Sequence, residues 1–265
     1  MNASLTPFIW IAIAFPVLLL MQRWINTHLH GISLLLTGHQ DRATIFYALI
    51  LFPGVVLHEL SHWVTATLLG VRTGRVSLIP RRQADGTLQL GYVEYYKGKN
   101  LGPIRESLIG GAPLIVGTAV ILLIAFKIFS VTNLVTAVQS GSVDILTLAL
   151  RDLFNTPYIL LWIYLIFAIS NAMLPSKSDR RAWPAFIILM VVLAVVLYFL
   201  GLTDELMQGL KRPAATVFGY LGIALSVAIG ANLFFMFCMV VVEWGIGRLK
   251  GISVVYGASG ASKSS

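Results

Sequence analysis

Two imidazoles and a carboxylate stand inside an otherwise apolar run: FPGVVLHELSHWVTATLLG, residues 52–70, carries His58, Glu59 and His62. Positions four apart share a helix face, so His58 and His62 can aim their rings at one point with Glu59 beside them. This is the geometry of a two-histidine zinc site with a general base next to it. With five His and five Glu in 265 residues, coincidence is a poor explanation of the pattern. The plainer reading, two helix-interior histidines bonded to neighbours, is weaker, because ionisable groups at membrane depth are costly and are functional candidates by default.

The elements that must position these residues are membrane spans. Hydrophobic residues make up 57% of the chain and charged residues 11%, with a mean hydropathy of +0.84. That balance excludes a soluble domain and indicates a multi-pass membrane protein. The net charge of +8 does not imply nucleic acid: the basic residues lie in short loops between apolar runs, and no nucleic-acid motif is present. Cys238 is the single cysteine, which rules out an internal disulfide.

Residues 5–22 are long enough for a first span, bent at Pro16, and residues 23–42 are expected as a connector. Its short apolar patch, Ile32 to Leu36, suits a re-entrant or interfacial segment, and His28, His30 and His39 are read as solvated loop residues rather than ligands. The second span, about 43–69, carries the motif and stops at Gly70; Pro53 and Gly54 either loosen it ahead of the site or serve packing. Alternating apolar and polar residues around Asp85-Gly86 predict a β-hairpin near 75–96, with Pro80 on an edge strand. A third span, about 104–129, is thinned by Gly110, Gly111, Ala112 and Gly117, which lets a neighbouring backbone approach. Residues 131–155 read as one amphipathic interfacial helix. A fourth span, about 158–174, is ended by Pro175, which leaves 176–181 irregular, and a fifth covers about 183–200. The last apolar stretch, 214–246, is long for one crossing and short for two, and residues 251–265 are expected to be disordered.

The fold class expected is therefore an all-α polytopic membrane protein of about six transmembrane helices, with a small β-hairpin after the motif helix. It forms a single membrane domain, 1–265, with a catalytic core over 43–185. Most of the 19 basic residues fall on one side of such a bundle, which places both termini in the cytosol, across the cell's inner membrane. The motif then lies in the inner half of the second span, on the face shared by the hairpin and the loop after Pro175.

A catalytic zinc takes three protein ligands and keeps a fourth position open. Asp179, in that loop, is the first candidate for the third ligand, with Glu94, Glu106 and Glu243 as rivals. Asn232 and Glu243, inside the last apolar stretch, are expected to face the bundle interior.

In HELSH at 58–62, the hairpin that follows, GGAPLIVG in the third span, and Asn171 with Asp179, the chain resembles the site-2 protease family of intramembrane zinc metalloproteases. The family's eight-residue step from an asparagine to a ligating aspartate, with a proline between, is kept by Asn171, Pro175 and Asp179, with the proline shifted by one. The family's glycine after the aspartate is Arg180 here, and its third-span asparagine has no counterpart near Val116 and Gly117. The resemblance covers about 43–185. It implies one Zn²⁺ per chain held by His58, His62 and Asp179, Glu59 as the general base, and a membrane-anchored protein as substrate within the lipid bilayer. Asn171 is then either a catalytic hydrogen-bond donor to the oxyanion or substrate backbone, or a structural bond between helices. The competing classes are a multi-pass transporter, for which no inverted repeat is visible, and a non-catalytic zinc-binding scaffold.

Overall fold

The computed structural model of the protein describes residues 5–78, 81–82, 88–96, 102–176 and 178–251. Eight α-helices and four short strands follow in chain order among them: α1 (Thr6–Thr37), α2 (Gln40–Leu68), β1 (Thr73–Ser77), β2 (Arg81–Arg82), β3 (Leu88–Gln89), β4 (Tyr92–Tyr95), α3 (Pro103–Leu123), α4 (Val131–Ser140), α5 (Val143–Phe154), α6 (Ile159–Ala172), α7 (Trp183–Phe199) and α8 (Thr203–Lys250). Four are long and apolar enough to cross a membrane: α1, α2, α3 with its π-helical continuation to Ile128, and α8. α5 and α6, bent by 84° across a short break, make a fifth candidate as a pair, and α7 is a shorter apolar helix.

Two apolar clusters hold the bundle. In one, Ala14 and Leu18 of α1 meet Ile121, Ile124, Ile166, Ile169 and the small face Ala224, Leu225 and Ala228 of α8. In the other, Met21, Ile25, Leu29 and Ile32 of α1 pack with Leu51 and Val55 of α2, Phe167 of α6 and Met239 of α8. The motif helix α2 lies between α3 and α6. Its contact with α6 is made at Gly54, where a Cβ would stand 2.0 Å from the Ala168 carbonyl oxygen, so packing is what this position requires.

Two expectations need correction, and a third, left open, is resolved. Residues 23–37 are not a connector: α1 runs unbroken to Thr37, and His28 and His30 are helical. Its buried stripe continues past the polar residues at Met21, Ile25, Leu29 and Ile32, a helical period that average composition hides. Residues 131–155 form two helices instead of one, because Gly141 takes a left-handed φ of +66° and Ser142 caps α5 by accepting from the Ile145 N–H. The stretch 214–246 belongs to one continuous helix, α8, whose 48 residues give a length of about 72 Å.

The expected hairpin begins two residues early. β1 pairs antiparallel with β4, Ser77 opposite Tyr92 and Thr73 opposite Tyr95 with a bulge between, and β2 pairs with β3. Leu78 and Leu90, between the two ladders, pack against the second apolar cluster. Pro80, the Asp85-Gly86 turn and the tail from 252 lie outside the described residues. Gly70 ends α2 as expected, with φ +70° and the Val71 N–H returned to the Ala66 carbonyl.

Candidate metal centre

His58 and His62, one helical turn apart on α2, bring their Nε2 atoms to 3.1 Å of each other. Asp179 closes the third side: Oδ2 lies 3.6 Å from His58 Nε2, and Oδ1 lies 3.3 Å from His62 Nε2. A tetrahedral ion with bonds of about 2.0–2.1 Å separates its donor atoms by about 3.3–3.4 Å, so the three edges match a metal's coordination shell. Among the described residues this is a group of His and carboxylate side chains able to hold a metal ion.

The protonation pattern points the same way. His58 Nδ1 lies 2.6 Å from the Ala172 carbonyl oxygen, and His62 Nδ1 lies 2.8 Å from that of Ile109. A carbonyl only accepts, so each Nδ1 carries a hydrogen and each ring turns Nε2 inward as the atom that could ligate an ion. Two imidazole nitrogens and a carboxylate therefore converge, an arrangement that could hold a metal ion. Histidine ligands are ordinarily fixed in this way, through the second ring nitrogen.

Both carbonyls are available because proline interrupts a helix. Ile109 of α3 would normally accept from the amide four residues on, but that residue is Pro113, which has none. Ala172 closes α6 just ahead of Pro175, and the Ser176 N–H that would have reached it donates to Asp179 Oδ2 at 2.7 Å instead. Asp179 is thus the loop carboxylate turned back toward the polar site. Burial pushes its carboxyl pKa up, but hydrogen bonds from His58, His62 and Ser176 outweigh this and hold it well below the ordinary range. The loop is seated on α3 at Gly110, where a Cβ would stand 2.0 Å from the Asp179 carbonyl oxygen.

Glu59 is buried at the same turn of α2. The hairpin backbone lies on it: a Cβ at Gly91, the residue before β4, would come 2.8 Å from Glu59 Cγ and 2.9 Å from Oε1. His58, Glu59, His62 and Asp179 are therefore brought together.

The other candidates sit elsewhere. Asn171 bonds α6 to α8, donating from Nδ2 to Asn232 Oδ1 at 2.9 Å and to the Phe167 carbonyl at 2.8 Å. Of the rival carboxylates, Glu243 pairs with His28 Nδ1 at 2.8 Å, Glu94 faces the Arg75 N–H in the hairpin, and Glu106 lies in the first turn of α3. His39 is exposed ahead of α2. The residue that sequence reasoning missed is Pro113, whose role was legible only as a proline four residues after the Ile109 carbonyl; Gly110, read as a point of close backbone approach, is where the Asp179 loop is seated.

Fold and site together describe a helical protein with apolar helices able to cross a membrane and a triad, set between α2, α3 and α6, that could hold a metal ion. Comparison with known protein families, with curated proteins and with solved structures finds no match.

Proposed function

We propose that the protein is an intramembrane zinc metalloprotease, hydrolysing peptide bonds in membrane-anchored protein substrates. The observation that carries this reading is the convergence of two imidazole Nε2 atoms and a carboxylate beside a buried glutamate. The donor set, two imidazole nitrogens and one carboxylate, is that of catalytic zinc sites, which leave a fourth position open. When bound there, zinc lowers the pKa of water to about 7 and polarises a carbonyl as a Lewis acid.

The chain's own residues supply the rest. His58, His62 and Asp179 hold and orient the ion, with the Ala172 and Ile109 carbonyls fixing both rings. Glu59 takes the proton from the attacking water and delivers it to the departing amine. The hairpin on Glu59 excludes bulk solvent from that transfer. Among the described residues β1 and β4 have no partner but each other, so an extended substrate segment has an edge to pair with close to Glu59. A substrate helix must unwind to offer its carbonyls, and strand pairing compensates for the backbone hydrogen bonds it gives up.

In this reading α1, α2, α3, the α5–α6 pair, α7 and α8 make six crossings, with both termini cytosolic by the distribution of basic residues. The test compares wild type, His58→Ala and Glu59→Ala, purified in detergent, for metal content and for cleavage of single-span substrates. The proposal requires about one zinc per wild-type chain, its loss in His58→Ala, and its retention without cleavage in Glu59→Ala. Cleavage by Glu59→Ala at the wild-type rate would refute the assignment. Solute transport by the same variant would favour a transporter.

A further inference from the structure

The last turn of α6, where His58 meets backbone, is gripped by side chains from two other helices. Gln22 of α1 donates from Nε2 to the Asn171 carbonyl at 2.7 Å. Asn232 of α8 accepts at Oδ1 from Asn171 Nδ2 at 2.9 Å and from Ser170 Oγ at 3.2 Å. The next carbonyl along, that of Ala172, receives His58 Nδ1. These contacts satisfy carbonyls at a helix C-terminus that have no intrahelical partner, and they do so from α1 and α2 at consecutive residues.

The network also fixes what Asn171 can do. Its amide has two hydrogens, and both are engaged, one by Phe167 and one by Asn232. The Phe167 carbonyl can only accept, so the amide cannot be turned the other way round without setting oxygen against oxygen. No donor is left for a developing oxyanion. Asn171 is tied into the scaffold on both faces of its peptide, by side chain to α8 and by main chain to α1.

We infer that Gln22 and Asn232 are positioning residues for the metal centre: by clamping Asn171 from α1 and α8 they set the Ala172 carbonyl, and through it the ring of His58. This rests on the metal reading above. A clamp kept only for bundle stability is a poor account of the cluster. Interhelical hydrogen bonds stabilise membrane bundles little on average. Asn232 Nδ2 and Asn171 Oδ1 are also buried with no partner among the described residues, although Asn232 is 0% and Asn171 5% exposed. An apolar residue at 232 would avoid burying the unpartnered amide nitrogen.

The test uses the full chain in detergent, stripped with a chelator and titrated with zinc against a chromophoric competitor. Cobalt(II) loading, followed by its visible absorption, reports ligand geometry independently of activity. Asn232→Leu and the near-isosteric Gln22→Met are each expected to weaken zinc binding about tenfold, the lower end of the loss seen when an outer-shell partner is removed, and to alter the cobalt spectrum. Their thermal unfolding should stay at the wild-type midpoint. Ser226→Ala is the control, because the Trp10–Ser226 hydrogen bond of 2.9 Å joins the same two helices away from Asn171; it should bind zinc within twofold of wild type. Wild-type affinity in both Gln22→Met and Asn232→Leu overturns the inference and leaves the metal reading intact. An equal loss in Ser226→Ala overturns it too, by showing a general effect of loosening α1 from α8. Absence of zinc binding in the wild type would overturn the metal reading and this inference together.

Discussion

Gly110 and Gly111 are neighbours in α3 with opposite surroundings, and exchanging each for alanine separates the metal centre from helix propensity. A Cβ at Gly110 would stand 2.0 Å from the Asp179 carbonyl oxygen, whereas ordinary contact begins near 3.4 Å, so loop and helix must part by at least 1.4 Å. Metal sites tolerate errors of about 0.2 Å in ligand distance. A shift of that size takes the carboxylate, now 3.3 and 3.6 Å from the two rings, out of any shared coordination shell. Losing the third ligand is expected to weaken zinc binding by about a hundredfold, equivalent to about 2.7 kcal/mol. Overpacking adds a stability loss of about 1–3 kcal/mol. At Gly111 a Cβ meets nothing within 4 Å. Gly111→Ala should therefore leave zinc affinity unchanged and stabilise the helix by about 0.5–1 kcal/mol. Both quantities are read from competitor titration and thermal unfolding in the same detergent. Zinc affinity in folded Gly110→Ala within twofold of wild type, or an equal loss in Gly111→Ala, would refute the account of how Asp179 is held.

Pro113→Ala gives residue 113 an amide hydrogen that competes with His62 Nδ1 for the Ile109 carbonyl; helix stability should rise while zinc affinity falls by up to about tenfold. A rise in both would count against a role for the freed carbonyl. Gly91→Ala presses on Glu59 and not on the ligands, so metal content should stay at wild type while peptide hydrolysis falls by about a hundredfold, the effect of a ~1 Å misplacement of a catalytic group. Loss of zinc in that variant would show the hairpin to be part of the ligand scaffold. The pH dependence of zinc loading has a definite sign. Loading needs both rings unprotonated at Nε2, so it should decline as pH falls. Asp179 is held low, so its contribution to stability is fully present above the unfolded carboxylate value of about 3.9 and is lost only as pH falls through its lower folded value. A loading curve that stays flat as pH falls would count against ligation by the two imidazoles.

Much of the site was readable because its chemistry is local. His58 and His62 converge through the helical repeat alone, and Pro175 announces the break that turns Asp179 back. What escaped depends on which faces are buried. The polar residues of 23–30 suggest a loop, yet Asn26 and His28 bond to Tyr47 and Glu243 on other helices, along a helix whose buried stripe never lapses. The two helices of 131–155 are separated by one glycine followed by a capping serine, a signal as strong as any used elsewhere, here masked by a continuous amphipathic period. Asn171 could not be assigned from sequence: an interhelical bond and a catalytic bond require the same residue at the same place, and only the position of Asn232 on α8 tells them apart.

Prolines explain why the centre can exist at this depth at all. In hydrocarbon every backbone carbonyl is normally committed to its own helix, so a histidine that needs an acceptor for Nδ1 finds none. Each ring here uses a carbonyl that proline has released: Ile109 because residue 113 has no amide hydrogen, and Ala172 because α6 ends before Pro175. The same break at Pro175 frees the Ser176 amide, which then fixes the third ligand. Pro113 within α3 and Pro175 just beyond α6 thus provide three of the hydrogen bonds that aim His58, His62 and Asp179. None of those bonds requires a polar side chain to be buried for the purpose. A centre built this way is assembled only when α2, α3 and α6 dock, so its geometry is a property of the packed bundle and not of the HELSH turn alone.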